Sequence, residues 1–259
     1  MSILLSEERD GVLVLTLNRP EIRNAISQAL AEAIEAKLRE TARRRDIRVV
    51  IFTGAGDRAF SAGTDLKERR DLSPDGKWEQ SGALRRANEV IWSLPQPVIA
   101  AVHGWCLGGG FELALNCDLR VAAEDAVFAW PEMQLGAYPG GTAGVVFPRL
   151  VGVARAKELF FTARRVPARE ALTLGIVERV VEKGRHLETA LEMAEEITIN
   201  SSPLGAAAVK RMVNAGADMS IGDAHALNDA LRRPLEGTKD YEEGIRAFFE
   251  KRRPQWRGE

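Results

Sequence analysis

An α/β body followed by a helical C-terminal region is what this 259-residue sequence predicts. Three observations lead there. Residues 49–53 and 98–102 are short apolar runs without alternation, the pattern of strands buried on both faces. Each run leads into a Gly-rich stretch, residues 54–63 and 104–110, after which helical periodicity resumes. From Val153 onward the pattern is mostly helical, with residues 176–181 the exception.

Taken in order, the chain opens as a hairpin, residues 3–5 and 12–17 around Asp10-Gly11. After Arg19-Pro20 comes a helix that Ser27 can cap, with Leu30, Ile34 and Leu38 along one stripe. Residues 84–94 are helical until Pro95-Gln96-Pro97 stops them. Residues 119–122 and 126–128 are further strands. No repeat or low-complexity linker is visible. A boundary near Ser202-Pro203 separates a body of residues 1–201 from a helical region of residues 202–259.

Composition narrows the function. Hydrophobic residues at 45% and charged residues at 28% describe an ordinary globular chain, and a formal charge of −1 gives no footprint for nucleic acid or a membrane surface. No apolar run approaches the roughly 20 residues that span a bilayer. The first ten residues lack the basic start and apolar stretch of a signal peptide, and their acidity argues against a transit peptide. Cys106 and Cys117 lie in apolar surroundings without ligand spacing, which suits small buried hydrophobes in a reducing cytoplasm.

Three segments carry chemistry. In residues 58–66, Gly63 permits a tight turn, and the N–H of Thr64 can face an anion or a carbonyl oxygen. In residues 98–115, a strand feeds Gly108-Gly109-Gly110 at the start of a helix. Glycines cost about 1 kcal/mol each inside helices, so the run implies close approach of a ligand to the Gly109 N–H. Glu112 stands in that helix among Phe111, Leu113, Ala114 and Leu115, apolar on every side. A carboxylate there costs several kcal/mol unless paired, hydrogen-bonded or protonated. It is either a structural carboxylate paired with an arginine or a catalytic one. In the third segment, residues 128–141, Glu132 stands at a strand-to-loop exit among aromatic and apolar residues.

Together these segments resemble the enoyl-CoA hydratase/isomerase (crotonase) superfamily along almost the whole chain. Arg19-Pro20 with Asn24-Ala25, the run from Ala59 to Leu66, the run from Gly108 to Leu113 with Cys117-Asp118, and Glu250-Lys251-Arg252 look like its signatures. The resemblance implies a spiral of stacked β-β-α turns with a helical C-terminal region that assembles trimers, singly or as a dimer of trimers. Hydratases of the family carry two glutamates, and this chain has both, Glu132 following Glu112 by 20 residues. Isomerases generally keep only the second.

By the same resemblance the reaction is hydration of a 2-enoyl-CoA, or dehydration of a 3-hydroxyacyl-CoA in reverse. Thr64 and Gly109 N–H groups would hold the thioester oxygen, with Glu112 and Glu132 catalytic. The CoA moiety would lie along Arg23, Asn24, Ala25, Ala62, Asp65, Leu66 and Lys67, with Lys251 reaching its phosphates from a neighbouring subunit. Trp130, Tyr138 and Gly140 are the acyl-pocket candidates. Thr142 is followed by Ala143-Gly144-Val145-Val146-Phe147 where hydratases usually continue Gly-Gly-Thr-Gln-Arg-Leu, a departure beside that pocket. No metal or redox cofactor is expected, since His103, His186 and His225 are scattered and coenzyme A arrives with the substrate.

Three other readings were weighed. Residues 54–59 mimic a dinucleotide fingerprint, but residues 60–63 interrupt the helix it requires. Ser61 sits one residue away from a nucleophile elbow, and a thioester hydrolase, with or without Ser61 as nucleophile, is an alternative. Lys37, Arg39, Arg43, Arg44, Arg45 and Arg48 gather basic charge at a helix C-terminus, either an RNA-binding patch or an ordinary complement to the helix dipole.

Overall fold

Two β-sheets are wound from one repeated unit: a strand for the large sheet, a strand for the small one, then a helix. The computed structural model describes residues 2–259. A hairpin of β1 (Leu4–Arg9) and β2 (Val12–Leu17) leads to α1 (Gln28–Thr41), where the Ser27 hydroxyl accepts the Leu30 N–H at 3.2 Å. The first unit is β3 (Val49–Gly54), β4 (Ala59–Ser61), α2 (Leu66–Arg70) and α3 (Pro74–Ser93). The second is β5 (Val98–Val102), β6 (Trp105–Leu107) and α4 (Gly109–Asn116). The third is β7 (Leu119–Ala123), β8 (Val127–Ala129), a 3-10 turn at Pro131–Leu135, α5 (Ala143–Val151) and α6 (Val153–Thr162). There follow β9 (Val166–Pro167), α7 (Ala168–Thr173), β10 (Arg179–Val181), α8 (His186–Asn200), α9 (Pro203–Gly216), α10 (Ile221–Arg232) and α11 (Lys239–Glu250).

The large sheet has the order β1-β2-β3-β5-β7-β10, parallel from β2 onward, and the small sheet β4-β6-β8-β9. Burial on both faces explains the unalternated strands. Val98, Ala100 and Val102 of β5 face the main core with Leu13, Phe52 and Leu30, while Ile99 and Ala101 face a second core closed by Ala190, Met193 and Ala194 of α8. Of the small sheet only β8 is legible, as residues 126–128; β4, β6 and β9 escape the sequence reading because two or three residues are too short to show a period. Helix α3 begins ten residues before the predicted start; its first two turns are largely solvent-facing and carry no apolar stripe.

Ser202 caps α9 through the Gly205 N–H, and one buried ammonium ties that helix to the body. Lys210 Nζ pairs with Asp118 at 2.8 Å and donates to the Ile91 and Gln96 carbonyls at 3.0 and 3.1 Å. Trp256 Nε1 donates to the Ile199 carbonyl, so the last residues fold back along α8. No helix among the described residues is long and apolar enough to cross a membrane.

Candidate active site

The turn after β4, the start of α4 and the start of α5 meet at one place. Segments 23–26 and 62–65 run side by side: Ala62 N–H donates to the Arg23 carbonyl, Ile26 N–H to that of Gly63, and Asp65 N–H to that of Ile26. This parallel bridge uses the groups flanking Thr64 and turns the Thr64 N–H to the opposite side. There it meets Gly109, the first residue of α4, whose N–H has no intrahelical partner. A Cβ on Gly109 would lie 3.4 Å from Thr64 N and 2.9 Å from Leu84 Cδ2, so a side chain here would crowd both.

Glu112 comes from the first turn of α4, in which every residue is buried. Its carboxylate faces the start of α5, where the Thr142 N–H donates to Oε1 at 2.6 Å. The N-terminus of α5 thus faces it. Burial nevertheless dominates and pushes its pKa from 4.5 up to about 7, opposed by the Thr142 hydrogen bond and reinforced by the charge of Glu132. Glu132, in the 3-10 turn after β8, is also raised, chiefly by burial. Its Oε2 is enclosed and has no hydrogen-bond partner among the described residues.

Two glycines make room for these acids. Gly108 has φ +48°, and a Cβ there would overlap Glu132 Oε1; Gly141 has φ +54°, and a Cβ there would overlap Glu112 Oε1. Both positions combine left-handed backbone with close approach, which glycine alone meets without strain. The outcome is a pair of electrostatically coupled carboxyls of unequal environment beside two adjacent N–H groups. Such a pair can divide the roles of acid and base.

Other candidate residues are placed differently from one another. Arg23, Leu66 and Lys67 are exposed along the paired segments, Ala62 and Gly140 are half-buried, and Ala25 is buried. Asn24 is fully buried and its side chain is consumed by the fold, donating to the Ala55 and Ala59 carbonyls and accepting from Arg19 N–H. Asp65 caps α2 and pairs with Arg19 at 2.9 Å. These two side chains are braces for the paired segments, a correction to their reading as ligand contacts. Trp130 needs correction too. Its indole stacks on Phe111 with centroids 4.5 Å apart and packs against Phe147 and Phe160, so it is core behind the site and offers no surface to an acyl chain. Tyr138 is well exposed, with its hydroxyl beside Gly144. Lys251 is exposed at the end of α11, away from any recorded contact with the two glutamates.

The Ser61 nucleophile and the dinucleotide loop lose their geometry. Ser61 is buried in β4, donates to the Asn24 carbonyl and accepts the Gly63 N–H, so its hydroxyl is committed to the turn. After residues 54–59 comes a strand rather than a helix. In the basic cluster, Lys37 pairs with Glu40, Arg39 with Glu35, and Arg44 with Glu8 and Asp46. Among the described residues no group of three or more His, Cys, Asp or Glu could hold a metal ion.

A profile described as enoyl-CoA hydratase/isomerase matches residues 7–259. The chain belongs to that family. The enoyl-CoA hydratase of Bacillus anthracis is 39% identical, superposes with a TM-score of 0.97, and each chain covers 100% of the other. A short-chain-enoyl-CoA hydratase of Clostridium acetobutylicum is 35% identical over 96% of this chain and 95% of its own. A carnitinyl-CoA dehydratase of Salmonella typhi is 39% identical over the full length of both. Within this hydratase/isomerase family member, sequence reasoning missed Thr142 and Gly141, which lie against the Glu112 carboxylate. The one available signal was the departure after Thr142, since Gly140, Gly141, Gly144 and Pro148 obscure the helix that begins there.

Proposed function

We propose that this enzyme adds water reversibly across the 2,3-double bond of a 2-enoyl-CoA. The observation that carries the reading is the pair of raised carboxyls, Glu112 buried and Glu132 half-buried, beside the Thr64 and Gly109 N–H groups. Water attacks the β-carbon while negative charge collects on the thioester oxygen. The N–H groups of Thr64 and Gly109 receive that charge; one such donor contributes about 3–4 kcal/mol to the transition state. Glu112, its carboxylate held by the Thr142 N–H, orients the water and takes its proton. Glu132, raised by burial, delivers a proton to the α-carbon. The same groups run in reverse dehydrate a 3-hydroxyacyl-CoA, the direction named for the Salmonella relative.

The CoA moiety follows the paired segments, along Arg23 to Ala25 and Ala62 to Lys67, with Asn24 and Asp65 acting through the backbone they hold. Lys251 reaches the phosphates from a neighbouring subunit. The acyl chain passes Gly140 and Tyr138. A thioester enolate stabilised by N–H groups draws on no resident redox group or metal.

Loss of the enoyl-thioester absorbance on mixing the purified enzyme with crotonyl-CoA, followed by longer, branched and ring acyl-CoAs, tests this. Absence of hydration across the panel, with double-bond migration detected instead, would replace the hydratase reading by the isomerase one.

A further inference from the structure

We propose that Asn116 is a positioning residue that acts through Thr142, closing a ring of hydrogen bonds that fixes the orientation of the Glu112 carboxylate. The inference rests on the hydratase reading of Glu112 but is tested on the carboxyl itself.

Asn116 lies one helical turn beyond Glu112 on α4 and is almost wholly buried. Its Nδ2 donates to the Glu112 carbonyl at 2.8 Å and to Thr142 Oγ1 at 2.6 Å. The amide orientation is set by chemistry, because the Glu112 carbonyl accepts only from a donor. Thr142 then donates its own N–H to Glu112 Oε1 at 2.6 Å. The ring therefore runs from the Glu112 backbone through Asn116 and Thr142 to the Glu112 carboxylate. Because Thr142 Oγ1 accepts from Asn116, its hydroxyl hydrogen is free for the same carboxylate. The Thr142 side chain makes no capping bond to α5, although it occupies the capping position, so its hydroxyl serves this ring and not its own helix. Gly141 completes the arrangement by letting the backbone pass against the carboxylate without a Cβ. The Asn116 Oδ1 is buried without a partner among the described residues, a cost that packing alone does not explain.

Loss of the Asn116 donor should leave the Thr142 segment free to drift from the carboxylate and weaken its hold on the ionised form. The test follows the Glu112 carboxyl by pH-dependent difference infrared spectroscopy, with Glu112→Gln identifying its band. Asn116→Leu, close in size and apolar, should raise the Glu112 titration midpoint by about 0.5–1 pH unit, the size expected from weakening one hydrogen bond to a charged group. In crotonyl-CoA hydration it should lower kcat about 10-fold while KM stays within about 2-fold, the split expected when a catalytic group is misplaced and binding is untouched. Thr142→Val should reproduce both effects and Thr142→Ser should restore them. Should Asn116→Leu fail to fold, the Thr142→Val and Thr142→Ser pair carries the same comparison. An unchanged Glu112 midpoint in Asn116→Leu, or in Thr142→Val relative to Thr142→Ser, overturns the proposal. A midpoint that moves in an enzyme that hydrates no enoyl-CoA leaves the ring standing and sinks the hydratase reading instead.

Discussion

Replacing Glu112 by glutamine should lower activity and raise stability, and the structure gives the magnitude of the second. Burial lifts the carboxyl from 4.5 to about 7, so the folded protein holds its proton more tightly than the unfolded chain. For an acid raised in this way, stability is greatest below pH 4.5, where both states are protonated. It falls as pH rises through the window from 4.5 to about 7 and levels off above it. At about 1.4 kcal/mol per pH unit, that gap amounts to about 3 kcal/mol of destabilisation above neutrality. Glutamine is neutral at every pH, and its carbonyl oxygen can still accept the Thr142 N–H. Urea unfolding of wild type and Glu112→Gln across this range should therefore give curves that coincide in acid and diverge toward pH 8, the variant becoming more stable by about 3 kcal/mol. Under the hydratase reading the same variant should lose at least about 10²-fold in kcat, the usual contribution of a general acid or base. A variant less stable than wild type at pH 8, or a difference that does not change with pH, would refute the reasoning. Near-full hydration activity would remove Glu112 from the chemistry.

Glu132→Gln should cost at least about 10²-fold in kcat with KM little changed, and the double glutamine variant should lose far less than the product of the single losses, because the two acids act as a unit; steady-state kinetics checks both. Gly141→Ala forces a side chain into the Glu112 carboxylate at a left-handed position, so kcat should fall by at least about 10-fold while the fold persists in circular dichroism. Lys210→Met leaves half-buried Asp118 and two carbonyls without their donor, and urea unfolding should show a loss of about 3 kcal/mol. Phe248 and Phe249 at the end of α11 are 79% and 78% exposed, and Ile221 is 80% exposed, too much apolar surface for one subunit to leave in water. Sedimentation at micromolar concentration should show trimers or hexamers, and a monomer alone would rule that assembly out.

Much of this protein is determined locally and was legible as such. Unalternated apolar runs at β3 and β5 implied burial on both faces, and the two cores on either side of the large sheet bear that out. Ser27 announced α1 because a hydroxyl before an apolar stripe satisfies an orphan N–H. Glu112 stood out because a carboxylate in an all-apolar helix demands a reason, and burial does lift its pKa. What the sequence could not determine is where residues distant along the chain meet. The small sheet is built from strands of two or three residues that pair only because the spiral stacks them. Asn24 and Asp65 have the composition of ligand contacts, yet their polar atoms are claimed by segments up to 46 residues away. Trp130 looks like a pocket wall until Phe111, Phe147 and Phe160 close around it. Thr142 reaches Glu112 across 30 residues, and Asn116 reaches Thr142 across 26. Periodicity, capping and burial cost act within a few residues and so leave a mark on the sequence. The hydrogen bonds that orient the Glu112 carboxylate join separate turns of the spiral, and only the packing of α4 against α5 brings their partners within reach.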